Sequence, residues 1–337
     1  MLAVRLHGIG DLRVEQVPEP TGPLRDWVHL RILAAGICGS DLHNFRSGQW
    51  LARTPSTPGH ELAAEVTAIG PEVRSLRPGD RVVADSRVFC RDCDMCRSGR
   101  HNLCATLGFV GEVCDGGFAE LTELPEHLLH RVPADLDPKI AAMAEPLAVA
   151  LHAMHRLRPQ PDAPILIAGC GPIGGLIALV LADAGFGPIL VADRQLARAR
   201  LVAEVTGGQI VELDATLPIL PRSGKPVRHA VDATGNIAAL QALIACAGRG
   251  ARLALVGIFH GRLDIDPNLL VEREIELAGC SAFANELPEA IGMLPRLAPR
   301  LARYIDEPIR LAEVPAAYQQ LLGPGSSKLK TIIVPAR

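Results

Sequence analysis

With 337 residues, 48% of them hydrophobic and 21% charged, the chain can bury a sizeable core, and at about 150 residues per domain its length corresponds to two domains. A formal net charge of -3 and an aromatic content of 3% exclude global disorder and leave neither a basic patch nor a stacking platform for nucleic acid. The longest apolar stretch, 173–182, falls short of the ~20 residues that cross a bilayer, and residues 1–13 lack the apolar run of a secretory signal, so no membrane segment and a cytoplasmic location are expected.

In chain order, short strands are predicted at 28–33, 62–69, 81–85 and 118–124, each bracketed by Gly, Pro or Asp. Residues 1–148 should therefore be mostly β. From residue 149 the pattern changes to a buried strand at 165–168, a glycine turn, an apolar helix at 172–184 and a second strand at 189–192. The alternation continues through strands at 209–213 and 229–234, a helix at 237–246 and a strand at 252–256. An α/β domain with a doubly wound parallel (Rossmann) sheet is expected over 149–285. A helix at 286–301 and a strand at 330–334 close the chain and are not assigned to that sheet.

Nine cysteines is an odd number, and a disulfide framework explains their clustering poorly. Cys90, Cys93, Cys96 and Cys104 lie within fifteen residues, among Arg91, Asp92, Asp94, Arg97 and Arg100. A segment this charged is no core. Four soft ligands from one short stretch suit tetrahedral zinc with no open position, hence a structural site. The ferredoxin cluster pattern fails, because seven residues separate the last two cysteines.

Gly169-Cys170-Gly171-Pro172-Ile173-Gly174 fits G-x-G-x-x-G between a predicted strand and helix. Gly169 permits the tight turn, Gly171 lets backbone approach a pyrophosphate, and Gly174 lets helix and strand pack closely while free amides face the anion. Asp193, at the end of the next strand, is placed to accept hydrogen bonds from an adenosine ribose. Its carboxylate repels a 2′-phosphate, so NAD is expected over NADP, with Arg194 as a counterweight. Arg198, about one turn further on, is a candidate ribose or adenine contact.

A second constellation is dispersed. Cys38 sits in Gly36-Ile37-Cys38-Gly39-Ser40-Asp41-Leu42-His43, Gly59-His60-Glu61 follows Pro58, and Glu145-Pro146 ends the β-rich half. Singly these are a small cysteine, a lone histidine and helix-start acids. Together they offer sulfur, nitrogen and oxygen ligands and leave a position open, as a catalytic zinc requires.

In order and spacing these motifs, with Gly116-Gly117-Phe118-Ala119 between them, resemble the zinc-dependent medium-chain alcohol dehydrogenases, most closely their polyol and 2,3-butanediol-like branch. The resemblance covers nearly the whole chain. It implies a GroES-like catalytic domain over 1–148 holding two zinc ions, an NAD-binding domain over 149–285 and a return of 286–337 to the catalytic domain. It also implies that Cys38, His60 and Glu145 bind the catalytic zinc, with Glu61 alternating or just behind. Ser40 and His43 would relay the proton while Asp41 orients His60. Gly169, Gly171, Ile173, Gly174, Asp193 and Arg198 would hold the dinucleotide, and Gly235, Val256 and Gly257 would lie against its nicotinamide half.

The implied reaction takes hydride from a small secondary alcohol or vicinal diol, with polyol, sugar or L-threonine-type substrates as alternatives, in a homodimer or homotetramer. Trp50 and Phe109 are candidates for the substrate wall. The chain departs from the family at Ala64, where a second glycine is usual, and from its sorbitol-type members at Asn44 and Ala282-Phe283, where these carry a tyrosine and an Arg-Tyr pair.

Overall fold

The computed structural model describes residues 1–213, 225–323 and 329–335. They fall into two compact units, Met1–Glu145 with Leu287–Arg337, and Pro146–Glu286. The first division lies inside the helix Ala144–Leu157.

The first unit is built on the strand Trp27–Gly36. One of its edges pairs antiparallel with Glu61–Ile69; the other takes Leu121–Pro125 along its first half and Ile332–Ile333 against its last two residues. Arg81–Ala84 and Leu129–Arg131 extend the sheet beyond Glu61–Ile69. Alternate residues Val28, Leu30 and Ile32 face a core shared with Val66, Leu124, Phe118 and Tyr318. Phe118, predicted to open a strand, lies before the observed strand Leu121–Pro125, because the amides of Gly117 and Phe118 donate to Gly59 and Pro58 rather than to a ladder. Ala64, the departure from the glycine pattern, is buried in ordinary strand conformation.

The second unit has a six-stranded, all-parallel sheet. In space the strands run Gln209–Ile210, Ile189–Ala192, Ile165–Ala168, His229–Asp232, Arg252–Leu255 and Glu276–Gly279, which is order 3-2-1-4-5-6 along the chain. That is the doubly wound topology expected, and its order reverses beside Ile165–Ala168, whose end carries the glycine turn.

The helix Leu287–Leu301 buries Leu287, Ala290, Leu294, Leu297 and Leu301, spaced three and four apart, while Pro295 and Pro299 lie on its exposed side. It belongs to the first unit, as does Ile332–Ile333. No described helix is long and apolar enough to cross a membrane.

Candidate active site

The first centre forms where Trp27–Gly36 and Glu61–Ile69 meet, because Gly36 and Glu61 are direct partners in that ladder. A Cβ on Gly36 would lie 2.1 Å from Glu61 Oε2, so only glycine leaves room for the carboxylate. Two residues later, Cys38 caps the helix Gly39–Ser47 and its amide donates to Asp41 Oδ2 at 2.8 Å. Just before the other strand, Gly59 adopts a φ of +99° and packs so closely on Phe118 that a Cβ would come within 2.3 Å of the ring. The Gly117 and Phe118 amides hold the Gly59 and Pro58 carbonyls at 2.7 and 3.0 Å, fixing the turn that buries His60.

Cys38, His60 and Glu61 each present a ligand atom, all within 4.8 Å of one another. Asp41 Oδ1 lies 3.6 Å from His60 Nδ1, an ion-pair contact longer than a hydrogen bond, and Ser40 Oγ is 3.5 Å from His60 Nε2. Burial opposes charge on His60, yet Asp41 and Cys38 outweigh it and hold the imidazole well above its ordinary pKa. Surroundings that draw a proton to His60 serve a metal cation equally well. Glu61 Oε1 is buried without a hydrogen-bond partner among the described residues, and Lys330 pairs with Oε2. A soft sulfur, an imidazole and an oxygen short of donors make a zinc-type ligand set.

Glu145 stands outside that cluster. Its Oε1 accepts a hydrogen bond from Ser86 Oγ at 2.7 Å. Burial lifts its carboxyl to about 7, with the charge of nearby His60 opposing and that of Glu61 adding. The structure thus brings Glu61 to the sulfur and imidazole and gives Glu145 a separate partner.

The four clustered cysteines converge. Cys90 Sγ lies 3.5 Å from Cys104 Sγ and 3.9 Å from Cys96 Sγ, close to the ~3.8 Å edge of a tetrahedron with 2.3 Å zinc–sulfur bonds. Backbone amides aim at the sulfurs: Cys93 N–H at Cys90, and Cys90 and Thr106 N–H at Cys104. The amides of Cys90 and Thr106 bring the Cys104 thiol down to about 6, whereas burial and neighbouring thiols push Cys96 up to about 12. One thiolate forms readily here; a bound dication supplies the charge for the others.

In the second unit Gly169 has φ +95° and Gly174 sits where a Cβ would meet Gly169 O at 1.7 Å, while Gly171 faces open space. The turn is therefore closed on its protein side and free on the other, with Ile173 half-buried in the first turn of Pro172–Asp183. Asp193 accepts from Cys170 N–H and Gln195 N–H, both at 2.7 Å, which ties it to the glycine turn. Arg198 is half-buried in the helix Leu196–Thr206. Gly235 and Gly257 touch, Gly257 having no room for a Cβ against Gly235 N at 2.1 Å, and Val256 N–H donates to Asp232 O.

His43 is buried; its Nε2 meets Gln49 Oε1 at 2.9 Å and Ser47 Oγ at 3.1 Å, and its ring lies 4.4 Å from that of Trp50. Phe109 pairs in a two-residue strand with Arg87. Ala282 has φ +46°, and Phe283 is fully buried.

Sequence reasoning assigned no role to three residues near the first centre: Lys330, Ser86 and Glu112. Only Lys330 carries a signal, a cation directly before an apolar strand.

Residues 24–134 match the alcohol dehydrogenase GroES-like domain family and residues 172–296 the zinc-binding dehydrogenase family. The chain is 31% identical to the sorbitol dehydrogenase of Bacillus subtilis, over 100% of its own length and 98% of the relative's. Among solved structures it is similar to the 2R,3R-butanediol dehydrogenase of Bacillus subtilis, with TM-score 0.91, 27% identity and 99% of each chain covered. A zinc-binding dehydrogenase of Sinorhizobium meliloti bound to NADP gives the same TM-score, identity and coverage. With these likenesses spanning both units, the chain belongs to the zinc-dependent medium-chain alcohol dehydrogenases, in the polyol and butanediol branch, and is a zinc alcohol dehydrogenase acting on the CH–OH group of its donors.

Proposed function

We propose that the chain oxidises a secondary alcohol or vicinal diol to the ketone, passing hydride to NAD and releasing one proton. The observation that carries this reading is the enclosed Cys38–His60–Glu61 cluster, whose mixed donors leave a position open for substrate. These three residues, with Glu145 as an exchangeable oxygen ligand, would hold the catalytic zinc; Cys90, Cys93, Cys96 and Cys104 would hold a second, structural ion. Zinc in the first cluster supplies a Lewis acid that lowers the pKa of the substrate hydroxyl towards neutrality.

Ser40, beside His60 Nε2, accepts the hydroxyl proton. His43, one turn along the same helix, passes it outward past Gln49 and Ser47. Asp41 holds the His60 proton on Nδ1 and leaves Nε2 as the donor atom. In the second unit, the amides around Gly169, Gly171, Ile173 and Gly174 receive the pyrophosphate, and Asp193 with Arg198 receives the ribose. Gly235, Val256 and Gly257 border the nicotinamide half. The choice of NAD rests on Asp193, whose carboxylate repels a 2′-phosphate. Free cysteines throughout the described residues accord with a reducing, cytoplasmic setting, and a homodimer or homotetramer is the expected assembly.

The test is the purified protein with zinc counted per chain and initial rates measured with NAD and NADP on 2,3-butanediol, 2-butanol, sorbitol and threonine. Two zinc ions and NAD reduction by a secondary alcohol support the reading. Zinc-loaded protein that reduces NAD with none of them overturns it.

A further inference from the structure

One acidic group beside the first centre has no part in the chemistry above. Glu112 lies in the turn after Phe109, is 9% exposed, and accepts a hydrogen bond from Asn44 Nδ2 at 2.9 Å. That neutral amide is the carboxylate's only hydrogen-bond partner among the described residues. Asn44 Oδ1 is in turn fixed by Trp50 N–H at 3.1 Å, so the amide's orientation is set and its donor end is committed to Glu112.

The position matters more than the burial. Asn44 lies four residues after Ser40 on the helix Gly39–Ser47, hence on the same helical face and about 6 Å further along the axis. Ser40 faces the His60 imidazole; burial pushes the Glu112 carboxyl above its ordinary range, while the Asn44 amide and the charge of His60 draw it back and that of Asp41 adds to the rise. The side chain that holds this carboxylate thus springs from one helical turn beyond Ser40. A vicinal diol with a hydrogen bond of about 2.8 Å at each end bridges such a rise. Asp41 adds a further acid beside the same centre, and Lys330 is already committed to Glu61. A second anion entering here meets repulsion.

Resting on the function proposed above, we infer that Glu112 is a specificity-determining residue: it accepts a hydrogen bond from a second donor group of the substrate, hydroxyl or ammonium, and turns away substrates that carry a carboxylate. Here the Asn44 side chain fixes that acid in place.

The test compares kcat/KM for 2,3-butanediol, 1-amino-2-propanol, 2-butanol and gluconate in the zinc-loaded wild type and in Glu112→Gln. The amide keeps the size of the side chain but loses its charge. A charge-assisted hydrogen bond corresponds to about a tenfold to hundredfold effect. We expect the preference for the better bifunctional substrate over 2-butanol to fall at least fivefold, and gluconate to gain relative to 2,3-butanediol. Whichever of the diol and the amino alcohol loses more identifies the natural donor. Glu112→Asp, which keeps the charge and withdraws it by one methylene, should lose the same preference while still rejecting gluconate; it stands in if the amide variant does not fold. A preference that falls less than fivefold in an active variant overturns the role of Glu112 and leaves the dehydrogenase reading intact. A wild type that oxidises none of the alcohols overturns that reading itself.

Discussion

Lys330 and Glu61 form an ion pair in which each side chain is only 1% exposed, and Lys330 Nζ also donates to Ile37 O at 3.0 Å. Burial opposes the ammonium, but Glu61 and Cys38 hold its pKa above the ordinary lysine value. Replacing Lys330 by Met keeps the volume and leaves a buried carboxylate without its cation. The expected loss is about 3 to 5 kcal/mol of unfolding free energy, read from urea denaturation; a loss below about 1 kcal/mol would show that the pair adds nothing.

Stability towards acid should depend on Glu286. Its Oε1 meets His152 Nδ1 at 2.9 Å and His155 Nδ1 at 3.3 Å, and its Oε2 accepts from Ala284 N–H at 2.6 Å. Against the penalty of burial, the two imidazoles bring its carboxyl from 4.5 to about 2. A carboxyl that binds its proton less readily folded than unfolded contributes fully above pH 4.5, and the contribution fades as pH falls towards 2. Glu286→Gln should therefore cost about 2 kcal/mol near neutrality and converge with the wild type as pH falls to about 2. Parallel stability curves across that window would remove this account.

On the two-zinc reading proposed above, Cys96→Ser should lower the zinc count from two per chain to one and lower the melting temperature. Zinc binding contributes folding energy outright at such sites. Metal analysis together with thermal unfolding checks both. A serine variant of normal stability that keeps its full metal complement would exclude a structural ion at this loop.

Asp193→Ser should raise the ratio of NADP to NAD turnover by about tenfold or more, since it removes the charge that repels a 2′-phosphate. It also removes the acceptor of the Cys170 and Gln195 amides, so a cost of about 1 kcal/mol for each bond should accompany the switch. Initial rates with both cofactors decide it; an unchanged ratio would mean the carboxylate serves only the turn.

Ser40→Ala and His43→Ala should each lower kcat by about a hundredfold or more, with His43→Ala partly rescued by added imidazole. The comparison that matters is the pH–rate profile. A profile of wild-type shape in His43→Ala would take the histidine out of the proton path.

Much of this architecture is legible in the residues because the second unit uses the strongest local signals. Ile165–Ala168 and Ile189–Ala192 are wholly buried four-residue runs bounded by glycine, proline or aspartate, and the predicted and observed limits agree. The cysteine loop is legible for a similar reason, since its ligands are neighbours in sequence. The helix Gly39–Ser47 is not: its buried side carries Asp41, His43 and Asn44 beside a single Phe45, so no apolar periodicity marks it. It is polar inward because it faces chemistry. Lys330, Ser86 and Glu112 are also invisible to local reading. Each acquires its meaning from a partner at least 59 residues away in the chain.

The Lys330–Glu61 pair sets an order of events during synthesis. Cys38, His60 and Glu61 are all translated before residue 62, yet the ammonium that neutralises Glu61 follows the whole of Pro146–Glu286. A ribosome must finish that intervening unit before the early ligands gain their counter-charge. A nascent polypeptide stalled midway would carry a thiol, an imidazole and an uncompensated acid.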